Sequence, residues 1–485
     1  MNKTTTGLIA AKRIAVAVAT VCATLAAPAY ATDDVKNVLD LMLKKGVISQ
    51  QDYDQFMKDN ADAAENKQFK EQRLDKDISK ANAFIQKNAE AGQVMKNGIG
   101  IQSADGQTNI QFTGRVHMDY RNYTDTLGAA QTIDPLQDGL EVRRARLGVK
   151  GQFMKDWKYE VVGNYGMASN GMSSTSTEID VAYIDYAADP MLQIRMGKFK
   201  MPFSLEQLTS SNNNDFMERS LVGQSDSELI PGKETGLQIF GSPQSGVSYA
   251  VAMSTGRGNK NQAYDNIDWI GRATVNFHKV FMASDAMITH LGLGYSQGET
   301  AGMTPASART EIRSSSAFFQ SPSALTAGVE RTRQGIEAAW AYEGLKIQAE
   351  KFDFNYKGAN REDDISGYYA QAVYNLTGEK HSYSNSSGTF GWIKPNSPFS
   401  LAKGGMGAWQ IGVRMSEFNA SDITVSSVKT NKATGLTYGL TWFVNDNVRF
   451  MLNYGSTDFK GALVGSSGSR ITKENAIMLR GQVSF

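Results

Sequence analysis

The chain has 485 residues, a formal charge of +1 and a single cysteine, Cys22. That balance gives no bulk charge for holding nucleic acid or anionic lipid, and one thiol builds no disulfide scaffold. With 46 Gly, 19 Tyr and 22 Phe against 10 Pro, the composition suits many strands joined by turns.

Lys3, Lys12 and Arg13, the apolar run Ile14 to Ala27 and the small-x-small triplet Ala29-Tyr30-Ala31 read as a cleaved signal peptide over residues 1–31. Cys22 falls inside it, so the exported chain, starting near Thr32, carries no thiol. Its removal lowers the formal charge from +1 to −2. Beyond it, no apolar run approaches the roughly 18 residues that a membrane-spanning helix needs. A membrane location would therefore require a barrel.

Residues 32–100 form a separate helical segment, rich in Lys, Asp, Glu, Gln and Ala. Val35, Val38, Leu39 and Met42 predict a short amphipathic helix. Leu74, Ile78, Ala81 and Ile85 recur at coiled-coil spacing, which suits either a solvated linker or an oligomerising coil.

From Thr108 the pattern changes to a period of two. Ile110, Phe112, Val116, Met118 and Tyr120 alternate with Gln111, Thr113, Arg115, His117, Asp119 and Arg121. Leu147, Val149 and Phe153 oppose Arg144, Arg146, Lys150 and Gln152, while parity puts Arg143 on the outward face beside Leu147. Similar segments follow to the C-terminus, giving roughly 16 strands of about ten residues. Short turns such as 154–156, 343–344 and 444–447 alternate with longer polar loops such as 122–138, 297–330 and 456–473. The last strand, Ala476 to Phe485, ends on an aromatic residue, the outward row being Ile477, Leu479, Gly481, Val483 and Phe485.

A soluble β-sandwich shares this period. Its apolar face is a closed core, however, whereas here the apolar face carries Tyr120, Tyr159, Tyr165, Tyr183, Trp340, Tyr342, Trp409, Tyr438, Trp442 and Tyr454 towards strand ends. Such rings belong at a membrane boundary. The fold class is therefore all-β: a transmembrane antiparallel β-barrel of about 16 strands over residues 101–485, preceded by a short α-helical, coiled-coil segment. Its address is the outer membrane of a Gram-negative bacterium, in contact with lipid and lipopolysaccharide. The four histidines, His117, His278, His290 and His381, show no metal-ligand spacing, and neither a P-loop nor a G-x-S-x-G elbow occurs. No catalytic residue, metal or cofactor is assigned, and no enzyme activity is expected.

The segments 112–123 (FTGRVHMDYRNY), 138–151 (DGLEVRRARLGVKG), 195–208 (RMGKFKMPFSLEQL), 214–221 (NDFMERSL) and 404–419 (GGMGAWQIGVRMSEFN) resemble the phosphate-selective porin O and P family. The resemblance runs in order from Ile110 to Phe485. It implies a homotrimeric porin with 16-stranded barrels and a third loop folded into the lumen, here starting at Met201-Pro202-Phe203 and returning near Glu234. It further implies passive diffusion of small hydrophilic solutes, with small anions such as phosphate preferred.

Family members lead anions inward by arginines and lysines. The matching positions here are Arg115, Arg121, Arg144, Arg146, Lys150 and Arg195, followed by Arg272, Arg333, Lys346, Arg414, Arg449 and Arg480. Acids on the same face (Asp119, Glu160, Glu178, Asp180, Glu337 and Glu350) number about half as many, so the lumen should be positive. The departure is the third loop: Lys200, Arg219 and Lys233 meet Glu206, Asp215, Glu218, Asp226, Glu228 and Glu234. A constriction so acidic works against strict phosphate selectivity and moves the eyelet role to Lys198 and Lys200. A different class of function, a structural or adhesive barrel whose N-terminal coil contacts the cell wall, fits the same strands; discrete conductance steps separate the two.

Overall fold

The computed structural model describes residues 32–89, 92–94, 99–124, 139–166, 177–224, 229–255, 267–303, 306–313, 317–322, 325–426, 429–464 and 470–485. Residues 1–31, read above as a signal peptide and holding Cys22, and the third-loop acids Asp226 and Glu228 lie outside them. Two compact units result, Met1–Ala91 and Gly92–Phe485.

In the first unit, α1 (Thr32–Lys44) and α2 (Gln50–Ala89) are helices. Ser49 starts α2 by accepting from the Asp52 amide at 3.2 Å, and Tyr53 donates to Asp40 across the pair at 2.6 Å. Leu39 is buried, whereas Leu74 and Ile78 are exposed.

The second unit is a closed antiparallel barrel. Its sixteen strands are β1 (Asn109–Thr124), β2 (Gly139–Phe153), β3 (Trp157–Asn164), β4 (Glu178–Asp189), β5 (Leu192–Lys200), β6 (Lys233–Gln244), β7 (Val247–Ser254) and β8 (Asp268–Asn276), then β9 (Met287–Met303), β10 (Leu325–Tyr342), β11 (Leu345–Lys357), β12 (Glu362–Asn375), β13 (Ala408–Asn419), β14 (Lys432–Phe443), β15 (Val448–Val464) and β16 (Arg470–Ser484). Each pairs with the next, and β16 returns to β1 with Arg480 opposite Asp119 and Ser484 opposite Arg115. Below that seam a short hairpin (Gly92–Val94 and Gly100–Ser103) pairs with the start of β1. Phe485 exchanges two backbone hydrogen bonds with Gly114, at 2.9 and 3.1 Å. Its ring lies so close to Gly114 that a Cβ there would meet it at 2.5 Å, so the glycine leaves room for the terminal aromatic.

The outward row is apolar and exposed: Phe112, Met118, Leu147, Ile194, Met196, Leu237, Leu293, Ile347, Leu452, Leu479 and Val483 all face out. Rings cluster at the end carrying the short turns, where Trp157 packs 5.1 Å from Tyr186 and Trp442 lies 5.4 Å from Trp409 and 5.9 Å from Phe450. The inward row holds buried Arg331, Arg414, Arg449 and Arg480. This inverted distribution is that of a barrel in lipid.

Two β-bulges overturn the simple parity. Between β1 and β2 the partner of His117 is Arg144 and that of Met118 is Val142, which leaves Arg143 as the extra residue. Arg143 therefore points inward, beside Arg144, rather than outward as alternation alone expects. Between β3 and β4, Val162 opposes Val181 and Gly163 opposes Ile179, so Asp180 is extra and Tyr183 turns inward to donate to Glu160 at 2.6 Å.

Candidate functional site

Three segments enter the barrel. The third loop, 201–232, carries the helix α3 (Leu205–Leu208), whose N-cap Ser204 accepts from the Gln207 amide at 3.2 Å. The amides of Leu205 and Glu206 donate to the Glu350 carboxylate on β11, at 2.9 and 2.7 Å. The fifth loop, 304–324, brings Glu311 inward. The third segment comes from the opposite end: the connection 376–407 between β12 and β13 is long, where alternation predicts a short turn. It folds back on a small hairpin (Tyr383–Ser384 with Thr389–Phe390), and Arg272 donates to its Ser387 and Gly388 carbonyls at 2.9 and 2.8 Å.

The described acids of the third loop, Glu206, Asp215 and Glu218, are engaged by cations of the wall, and of the three only Glu218 borders the open cavity. Glu206 meets Arg414 at 3.2 Å, and Asp215 meets Lys346 and Gln371, both at 2.7 Å. Glu218 accepts from Arg143, Arg121 and Arg480 at 2.9, 3.0 and 3.1 Å. Glu311 binds Arg414 at 2.6 Å and Ser416 at 2.5 Å. Buried charge persists only when paired in this way. Burial raises the Glu218 carboxyl, but Arg143, Arg480 and Arg144 outweigh it and hold the group well below the usual carboxylate range. At Glu206 burial wins, and the carboxyl is pushed up despite Arg414.

The space left over is a cavity of 1450 Å³ along β1 to β8, and fifteen basic side chains line it against six acidic ones. Of the residues singled out in the sequence, Arg115, Arg144, Arg146, Lys150, Arg195, Lys198, Lys200, Arg219 and Arg272 border it. They are not equivalent. Arg115 donates to the Ser210 and Ser211 hydroxyls of the third loop, at 3.3 and 3.0 Å, and Arg144 contacts the His117 ring at 3.4 Å. Neither has a carboxylate partner among the described residues. Lys150, and Lys158 beside it, have no hydrogen-bond or ion-pair partner there at all.

The others are engaged. Arg146 pairs with Asp180 at 2.9 Å, and Lys233 meets the same carboxylate. Arg195 holds Asp185 in a fork at 2.7 and 2.8 Å and stacks 3.9 Å over Tyr183. Lys200 gives its three protons to the carbonyls of Gln207, Leu208 and Thr209, at 2.7, 3.2 and 3.0 Å. Arg219 donates to the carbonyls of Glu206, Gln207 and Thr209 at 3.2, 3.3 and 3.3 Å. Both therefore brace the third loop. Lys198 shares its row with exposed Ile194 and Met196, and its amine donates to the Ile179 carbonyl. Arg272 binds Glu337 as well as the hairpin.

Arg121, Arg414, Arg449 and Arg480 do not border the cavity. The third and fifth loops cover them: Arg480 is held by Asp119 at 2.6 Å, and Arg449 by Gln482 and the Asn214 carbonyl, both at 3.0 Å. Arg333, expected on the inward row, also borders the cavity, which in addition gains Lys158, Arg143, Arg313 and Arg331. Lys158 was readable from its place two residues before inward-facing Glu160. Arg143 was not, because only the bulge turns it inward.

A family model described as "Phosphate-selective porin O and P" matches residues 110–485. Porin O of Pseudomonas aeruginosa is 26% identical over 389 residues, which cover 74% of this chain and 85% of that protein. An uncharacterised protein of Caulobacter vibrioides is also 26% identical, over 79% of this chain and 76% of its own length. Among solved structures, an anion-selective porin from Comamonas acidovorans superposes with a TM-score of 0.49 at 10% identity, covering 78% of this chain and 100% of that one.

Proposed function

The chain belongs to the phosphate-selective porin O and P family and lies in the outer membrane as a porin, and from that premise we propose that small anions, phosphate among them, pass through the cationic side of the barrel between β1 and β7. The observation that carries this reading is the set Arg115, Arg144, Lys150 and Lys158: four cations bordering the cavity, none of them in an ion pair among the described residues. Low-dielectric walls focus their field and raise the local anion concentration. Guanidinium offers forked donors to an oxyanion, and the lysines offer point charges further along the wall. None of the four encloses an ion by itself, which favours hopping over capture.

We read Arg146, Arg195 and Lys233 as tuning groups, each already shared with a carboxylate. Assembly as a homotrimer and the absence of enzymatic turnover complete the proposal. The test is block of chloride current by phosphate in planar bilayers. Millimolar phosphate should lower single-channel chloride conductance, and an unchanged conductance would remove phosphate from the permeants.

A further inference from the structure

Arg144 is buried in the wall at 8% exposure and has no carboxylate partner among the described residues, yet its guanidinium needs something to fix it. The group that touches it is a histidine. Arg144 Nη1 lies 3.4 Å from His117 Nδ1, and His117 Nε2 lies 3.1 Å from the Asn212 Oδ1 of the third loop. His117 is fully buried. Guanidinium carries only donors, so the ring nitrogen facing Arg144 must accept. Nδ1 then presents its lone pair to Arg144, and Nε2 carries the proton given to Asn212. The ring in this arrangement is neutral.

The surroundings agree with that assignment. Arg144 approaches from β2 and Arg480 and Arg449 from β16 and β15, while Asp119 and Glu218 are held by Arg480. Asn212 is itself tied down, its carbonyl accepting from Gln482 at 3.3 Å. His117 thus joins the wall to the tip of the third loop.

From this geometry we propose that His117 is a positioning residue: it fixes Arg144 in the anion path by a neutral acceptor and so leaves the arginine charge uncancelled. A carboxylate in the same place would hold the guanidinium more firmly but neutralise it. The inference rests on the reading of the cavity as an anion path.

Asn and Asp are isosteric, and at position 117 both offer an oxygen acceptor where Nδ1 stands, neutral in Asn and negatively charged in Asp. Chloride affinity, read from saturation of single-channel conductance, and the reversal potential in a KCl gradient are measured for wild type, His117→Asn and His117→Asp. Because Asp turns a charge-bearing site into a closed pair, its chloride affinity should fall about tenfold, while Asn should stay within about twofold of wild type. Equal losses in Asn and Asp, or no loss in Asp, would overturn the proposal. Should the Asp variant not assemble, His117→Leu replaces it: Leu should weaken chloride binding in the wild-type background and cost nothing further in Arg144→Leu. An equal cost in both backgrounds would overturn the proposal. A wild-type channel that prefers cations would instead remove the anion-path reading itself, and the inference with it.

Discussion

The two halves of the barrel are written in one code and used in opposite ways. Along β11 to β16, the inward cations Lys346, Arg414 and Arg480 are covered by loops and met by Asp215, Glu206, Glu311, Asp119 and Glu218. Along β1 to β7, the wall faces open space, and Arg115, Arg144, Lys150 and Lys158 have no ion-pair partner among the described residues. A cation in the row therefore says little by itself. What matters is whether a loop acid reaches it, because a desolvated pair contributes neither field nor a binding site to a passing ion.

The sharpest way to break this comparison is to alter charge on each half. Arg115→Glu combined with Arg144→Glu should abolish anion preference in KCl reversal-potential measurements while folded barrels persist. On the filled half, neutralising an ion pair with Lys346→Gln and Asp215→Asn should leave selectivity close to wild type, since it removes one cation together with its partner. Selectivity lost equally in both would erase the distinction between the halves.

On the filled side the expected effect is on stability. Glu218→Gln leaves Arg121, Arg143 and Arg480 facing one another with less compensation, which should cost about 3–5 kcal/mol. Thermal unfolding followed by loss of heat-modifiable mobility on gels would show it, with noisier open-channel current as the third loop loosens. An unchanged midpoint would mean that Glu218 does not anchor the loop.

A smaller effect is expected from Lys150→Ala with Lys158→Ala. Anion affinity should fall about fivefold, roughly 1 kcal/mol, as two unpaired point charges leave the wall. Titration should change least. Glu218 is held below its ordinary value, so its contribution to stability is complete above that ordinary value and disappears only as pH falls through the lowered one. Current noise should accordingly stay constant from pH 8 to about 5. Loop opening within that window would contradict the pairing.

The contrast between the halves also marks what sequence could convey. The strands, the outward row ending at Phe485 and the departure of the third loop at Met201 follow from a period of two and its interruption. Arg143 and Tyr183 escaped because a bulge inserts one residue and reverses the faces beyond it. The inward fold of 376–407 escaped because its anchors, Arg272, His290 and Lys346, lie more than 30 positions away in the chain. Pairing across the lumen was likewise invisible: the acids of the third loop looked like a barrier to anions until their partners on β1, β2, β11, β13 and β16 were seen.

Residues 33–92 stand outside that contrast. Deleting them should leave a conducting pore of unchanged selectivity, and loss of conductance would tie the helical segment to the channel.

The central claim is that the unpaired cations of β1 to β3 set the field in the path. The reversal potential of the wild-type channel in a KCl gradient tests it most directly. The four cations outside ion pairs predict a potential displaced towards the chloride equilibrium value, and a displacement towards that of potassium would contradict the account.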